Sequence, residues 1–235
     1  MTSLAVNLIP VKNLRPPTTR YRKGVKPPND NMLKRGKQNK KLGDKVTVKM
    51  WKGMTMYSLT LEERATCPTD CQQWDTCYGD NMPFAHRFDH TAPDFISRLD
   101  THLGLLNRKH PEGFVVRLHV LGDFYDGIYI AQWQIWLALY ENLNVFGYTH
   151  HTAASDLGRM VNTVNRMHPT RFRVRFSDDM STQFSAHVTK PEGISSSISI
   201  VTDAIICPEQ QGKTDSCATC GYCWTSNNPI VFIEH

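Results

Sequence analysis

Seven cysteines fall into two groups. Cys67, Cys71 and Cys77 stand in TCPTDCQQWDTCYGD with C-x3-C-x5-C spacing, and Cys207, Cys217, Cys220 and Cys223 in CPEQQGKTDSCATCGYCW, where the last three form a C-x2-C-x2-C run. Three thiols this close in one loop are more than core packing requires. An iron–sulfur cluster normally takes four thiolates, so a three-cysteine loop implies a cubane with one iron open to another ligand. Zinc prefers four closed nitrogen or sulfur ligands and would have to borrow the fourth from His86 or a distant cysteine. The C-x2-C-x2-C run is closer to the ligand loop of a ferredoxin cluster than to a zinc ribbon, which pairs its ligands two and two. Three plus four therefore suggests one open and one fully ligated cluster, although the two groups could also mix in a single site. Disulfides are the remaining use, but an odd count leaves one thiol unpaired and nothing at the N-terminus resembles a secretory signal.

The elements that must position these thiols can be read from periodicity. Two short strands, VTVKMW and MTMYSLTL, meet at Lys52-Gly53 as in a hairpin, and the second leads into the three-cysteine loop. Phe95, Ile96, Leu99, Leu103 and Leu106 have helical spacing over Asp94–Lys109, ending before His110-Pro111. FVVRLHVLGDF, Phe114–Phe124, is a β-branched strand that breaks at Gly122-Asp123 and presents a carboxylate at its C-terminal end, where ligands bind in barrels and open α/β sheets. Asp123 is thus a site candidate and Asp126 a weaker one; the competing use is to cap the following helix. A helix over Ile128–Leu143 carries Ile130, Trp133, Leu137 and Tyr140 on one stripe, with Trp133 and Trp136 read as core. A strand ending in Thr149-His150, a helix over Asp156–His168 stopped by Pro169, and a strand ending in Ser177-Asp178 follow. Three successive strands ending in polar clusters, alternating with helices, are what a parallel α/β barrel produces when one rim is the active site. Beyond Met180 the pattern loosens; Ser195–Ile206 suggests a strand delivering Cys207, and Ile230–Ile233 a final one.

The formal charge of +5 hides an asymmetry: residues 11–49 hold 13 of the 27 Lys and Arg against Asp30 and Asp44 alone, a net +11, which leaves the rest at −6. This stretch is rich in Pro and Gly and poor in apolar residues, so it has little surface with which to offset its ordering entropy. Lys34, Arg35, Lys37, Lys40 and Lys41 could neutralise phosphates while Tyr21 stacks, making residues 11–49 a nucleic-acid-binding arm; equally, the segment could be a solvated tail or a strap across the protein's own acidic body. No apolar run approaches the roughly 18 to 20 residues of a membrane span, which points to no membrane partner and a cytoplasmic protein.

With both stretches in hand, the chain resembles a compact radical S-adenosylmethionine (SAM) enzyme. In that superfamily a strand leads into a three-cysteine loop with an aromatic neighbour, here Tyr78, and a Gly-Gly-Glu-like turn follows the second strand, here Gly122-Asp123. The usual loop is C-x3-C-x2-C with the aromatic before the last cysteine, so this chain departs in its longer second gap and in the shorter acid of its turn. More closely, CYGDN, RLHVLGDF, GYTH and CATCGYCW…VFIEH resemble the phage and bacterial gene product 88 family over roughly residues 46–235, with the basic arm outside; a phage-encoded member would work in the host cytoplasm. The resemblance implies a 4Fe–4S cluster on Cys67, Cys71 and Cys77, whose open iron chelates SAM and, on one-electron reduction by a donor such as flavodoxin or ferredoxin, yields a 5'-deoxyadenosyl radical for an unknown substrate, nucleic acid among the options. It further implies that Gly122 and Asp123 receive the cofactor's amino group and that Ser177 and Asp178 contact its carboxylate or ribose. Cys207, Cys217, Cys220 and Cys223 would hold an auxiliary cluster, either for electron transfer or as a staple.

The expected architecture is α/β: a partial (β/α) barrel of radical SAM type over residues 46–206, preceded by a basic, extended arm over 1–45 and followed by a cysteine-rich cluster segment over 207–235. The competing function is a nucleic-acid-binding protein whose iron–sulfur or zinc site is purely structural.

Overall fold

The computed structural model describes residues 18–193 and 203–234. Alternation in FVVRL puts Phe114, Val116 and Leu118 on one face of a strand and Val115 and Arg117 on the other, and the two faces join different cores. This strand, β5 (Phe114–Leu118), is central in an eight-stranded sheet. In chain order the elements are β1 (Val25–Lys26), β2 (Lys34–Arg35), β3 (Thr55–Ser58), β4 (Arg87–Phe88), α1 (Phe95–Lys109), β5, α2 (Gly127–Leu139), β6 (Leu143–Thr149), α3 (Asp156–Met167), β7 (Phe172–Ser177), β8 (Ser185–Thr189), β9 (Ile205–Ile206), α4 (Cys217–Cys220), α5 (Tyr222–Thr225) and β10 (Ile230–Ile233). The sheet order is β2-β3-β5-β6-β7-β8-β10-β9, with β2 antiparallel to β3 and every other pairing parallel.

Within this sheet β3, β5, β6, β7 and β8 lie side by side in the order the chain makes them, while β4 pairs with β1 in a separate two-stranded sheet. Parallel crossovers are right-handed, so the run from β3 to β8, which does not reverse its winding direction, carries α1, α2 and α3 on one face; the step back from β9 to β10 reverses it and brings α4 and α5 to the other. Accordingly Leu99 and Leu103 of α1, Ile130, Trp133 and Leu137 of α2, and Val161 and Val164 of α3 share one core with Phe114, Val116, Val145, Phe172 and Val174. The caps follow the sequence: Asp126 accepts Tyr129 N–H at 2.7 Å and Ser155 accepts Gly158 N–H at 3.1 Å. Asp126, a weaker site candidate by sequence, is thus spent as a helix N-cap.

Among the described residues the opposite face carries the short helices α4 and α5 in place of a layer of long ones. Met56, Val115 and Phe146 pack there against Trp51, Trp224 and the C-terminal cysteine segment, with Trp51 and Trp224 stacked at 5.1 Å. The sheet does not close: β2 and β9 are its two edges. The architecture is a mixed α/β fold with one large, mainly parallel, open sheet.

Several expectations change in detail. Of the hairpin over 46–61, Thr55–Ser58 alone is a strand, joined to the preceding segment by a bridge between Lys45 and Thr55. The reason lies in competing partners: Thr47 N–H goes to Ala218 O at 3.0 Å and Val48 packs beside Gly221, so this stretch serves the C-terminal segment, while β2 pairs along the edge of β3. Most of the strand expected over 195–206 lies outside the described residues; its end, β9, does deliver Cys207. Residues 18–45 lie against the body, with Met32, Leu33 and Leu42 buried and Leu33 N–H donating to His102 Nδ1 at 3.1 Å.

Candidate functional site

The three-cysteine loop begins where β3 runs out. Leu59 and Leu61 still hydrogen-bond to the continuation of β5, through Arg117 O at 3.2 Å and Leu121 O at 3.0 Å, so the loop leaves the sheet at its C-terminal edge. Two arginines staple it. Arg87, 0% exposed, meets Glu63, 1% exposed, through Nε–Oε2 at 2.5 Å and Nη2–Oε1 at 2.9 Å, and donates to the carbonyls of Gly79, Met82 and Ala85. Arg64 forks onto Asp80 at 2.9 and 2.8 Å and reaches Trp74 O at 3.3 Å; that guanidinium holds the Asp80 carboxyl below its usual pKa. Thr19 and Tyr21 of the N-terminal segment complete the frame, bonding Glu63 Oε1 at 2.5 Å and Asp80 O at 2.6 Å. Sequence reasoning missed this frame, although the charges of LEER and HRF flank the loop in plain view.

Cys67, Cys71 and Cys77 line one wall of a cavity of about 330 Å³ at the C-terminal edge of the sheet. They are near enough to act on one another electrostatically, and Asp123 acts on Cys67 and Cys71. Burial pushes all three thiols up, Cys71 to about 12.

The second group approaches the same cavity from the face opposite α1, α2 and α3, where Cys207, Cys217 and Cys223 also line it. All four C-terminal cysteines, Cys220 included, border a smaller adjoining hollow. Ser216 and Thr219 cap α4 reciprocally, and Gly221, at φ 66°, turns the chain between α4 and α5 in a conformation that disfavours a side chain. The segment is held from below by main-chain bonds, Cys217 N–H to Lys41 O at 2.8 Å and Ala218 N–H to Leu42 O at 3.0 Å. From the sheet, Arg175 donates to the carbonyls of Cys223, Tyr222, Ser226, Asn228 and Ser185, and Arg173 to those of Trp224 and Ser226. Tyr148 O–H donates to Cys223 Sγ at 2.8 Å. All seven cysteines are free thiols, and among the described residues no three His, Cys, Asp or Glu side chains form a group that could hold a single metal ion.

The remaining sequence candidates divide. Gly122 and Ser177 line the cavity. Gly122 has φ +84°, and a Cβ there would stand 2.5 Å from Thr66 Oγ1 and 2.7 Å from Leu61 Cβ, so the turn requires glycine. The carboxylates of Asp123 and Asp178 are instead engaged with backbone. Asp123, 1% exposed, accepts from Phe124 N–H and His150 N–H, both at 2.7 Å, tying the end of β5 to the end of β6. Asp178 accepts Val188 N–H at 3.0 Å and Gln73 Nε2 at 3.5 Å, joining the cysteine loop to β7 and β8. Arg117, His119, Tyr148 and His150 also line the cavity. The alternation of β5 contained that signal for Arg117, which has the opposite parity to Val116 and Leu118; His119, past the strand's end, turns its ring to Tyr129 of α2. Burial and the neighbouring Arg117 lower His119 to about 3, so its ring is neutral at neutral pH.

An open, mainly parallel sheet with two cysteine groups facing one cavity at its C-terminal edge defines an α/β protein with a thiol-lined site. The gene product 88 family model matches residues 29–226, and the chain belongs to that family. The match takes in residues 29–45, which the resemblance had left outside. No curated protein and no solved structure matches the chain. Among the described residues no helix is long and apolar enough to cross a membrane.

Proposed function

We propose that this chain is an iron–sulfur enzyme of radical SAM type. The observation that carries the reading is the meeting, on one cavity, of the three-cysteine loop after β3 and the Gly122 turn after the neighbouring strand β5. The donor set fits: three desolvated thiols line a half-open cavity, with room beside them for a small molecule. Cys67, Cys71 and Cys77 would hold a 4Fe–4S cluster, and bound there with SAM and one electron it would supply a 5'-deoxyadenosyl radical. Gly122 and Ser177 face the cofactor space, while Asp123 and Asp178 fix the strand ends around it. The longer gap between Cys71 and Cys77 is accommodated by the Arg64 and Arg87 frame, with Gln73 tying the loop to Asp178 at the end of β7.

Cys207, Cys217, Cys220 and Cys223 would hold the second cluster. Charge supports this: Arg173 and Arg175 lie on the face opposite α1, α2 and α3 with no ion pair among the described residues, and Arg175 is 0% exposed. Buried cations without carboxylates are costly, and an anionic thiolate cluster beside them is the compensation this interior offers. Zinc remains the alternative for this second group, and a nucleic-acid-binding role the alternative for the protein.

The test is product analysis. Anaerobically reconstituted and reduced protein incubated with SAM is expected to release 5'-deoxyadenosine, and Cys71→Ser to release none. Loaded wild-type protein that yields no 5'-deoxyadenosine beyond the rate of the serine variant would remove the radical assignment.

A further inference from the structure

Three cations line the cavity, and two are satisfied. Lys41 is 3.5 Å from Glu209 and Arg64 is forked onto Asp80. Arg117 has no carboxylate partner among the described residues. One of its guanidinium nitrogens, Nη1, donates to the carbonyls of Leu118 and His119, which leaves Nε and Nη2 without a protein acceptor among the described residues. The guanidinium is set in place by the Tyr148 ring at 4.5 Å and the Phe146 ring at 5.6 Å. An arginine fixed against aromatic faces with its free donors toward a cavity presents the planar fork that suits carboxylate and phosphate.

His119 adds a second, independent feature. Just past the end of that strand, it is 4% exposed, its Nε2 is 3.0 Å from Tyr129 O–H, and its Nδ1 is buried with no partner among the described residues. A buried polar atom without a partner is costly, and this one belongs to a residue that lines the same cavity.

We propose that Arg117, with His119 beside it, is the anion-recognition point of this cavity, taking the carboxylate or phosphate of a small ligand. At about 330 Å³ the space suits a small molecule or a chain terminus and not a nucleic-acid duplex. This goes beyond the radical SAM reading and stands without it. The anion has two sources: a substrate, or the cofactor's own carboxylate.

The experiment is titration calorimetry of the full chain with inorganic phosphate and with acetate, at constant ionic strength set by chloride. Wild type is expected to bind at least one anion, Arg117→Gln to weaken it by roughly tenfold or more, and Lys52→Ala, at an exposed lysine outside the cavity, to leave it unchanged. Protection of Arg117 from phenylglyoxal by phosphate, read by mass spectrometry, gives the same answer on wild type alone should the glutamine variant not fold. Phosphate binding that survives saturating SAM assigns the anion to the substrate; binding that SAM abolishes, with SAM itself weakened by Arg117→Gln, assigns it to the cofactor. SAM that does not bind at all defeats the cofactor reading and leaves the phosphate result standing. Absence of both anions from wild type overturns the proposal. So does affinity unchanged in Arg117→Gln without protection of Arg117, which would leave that side chain only as countercharge to Cys217.

Discussion

Glu63 and Arg87 form an ion pair sealed from water, and the guanidinium spends its remaining donors on three carbonyls of the cysteine loop. Removing one partner of such a pair leaves a buried charge uncompensated. Glu63→Gln is therefore expected to cost roughly 3–5 kcal/mol of stability in urea unfolding and to lower metal occupancy at Cys67, Cys71 and Cys77 while sparing the second group. Equal loss at both groups would mean that the pair supports the whole fold and not the loop in particular. At this scale the sequence was legible where chemistry is concentrated: cysteines at fixed spacing announce themselves. Asp123 was legible as important but not in its role, because a carboxylate at a strand end looks the same whether it faces a ligand or, as here, two backbone amides. Arg175 was not legible at all, since a charge in RFRVRF reads as solvent-facing until the C-terminal segment covers that face.

The segment from Thr18 to Val48 behaves as an element of the core. It adds β2 to the sheet, buries Met32, Leu33 and Leu42, and supplies the carbonyls of Lys41 and Leu42 to the second cysteine group. A chain starting at residue 46 is expected to be insoluble or to unfold without cooperativity, as circular dichroism would show; a folded, metal-loaded truncate would contradict this placement. His102 on α1 is the acceptor for Leu33 N–H, and burial is the main cause that lowers its pKa. A histidine held neutral in the fold takes its proton first in the unfolded chain, so its contribution to stability is full above about pH 6.5 and declines as pH falls from there toward the lowered value. His90, His119, His168 and His187 are lowered by burial in the same direction. The melting temperature is expected to fall between pH 7 and pH 5, and His102→Gln, which keeps an acceptor but cannot titrate, to flatten part of that slope. A slope unchanged by the substitution would remove His102 from the account. Composition could not reveal this docking, because the few apolar residues of the segment are spaced for contact with a surface and not as a stripe of their own.

The strand order from β3 to β8 was legible from alternating strands and helices, and three strands ending in polar residues pointed to the C-terminal edge, where the cavity lies. The hidden part was the layer opposite the helices. Residues far apart in the chain build it: Trp51 stacks on Trp224, and Tyr148 bonds Cys223. Local periodicity carries no record of such pairs. Their consequence is that the two cysteine groups, separate in sequence, share one cavity. The most direct test of two clusters on that cavity is the iron and sulfide content of anaerobically reconstituted protein, read together with electron paramagnetic resonance of the reduced state with and without SAM. The expected result is about eight irons per chain, falling to about half in Cys71→Ser and in Cys220→Ser, with one of two signals shifting on addition of SAM. Zinc in place of iron, or signals indifferent to SAM in a fully loaded protein, would contradict it.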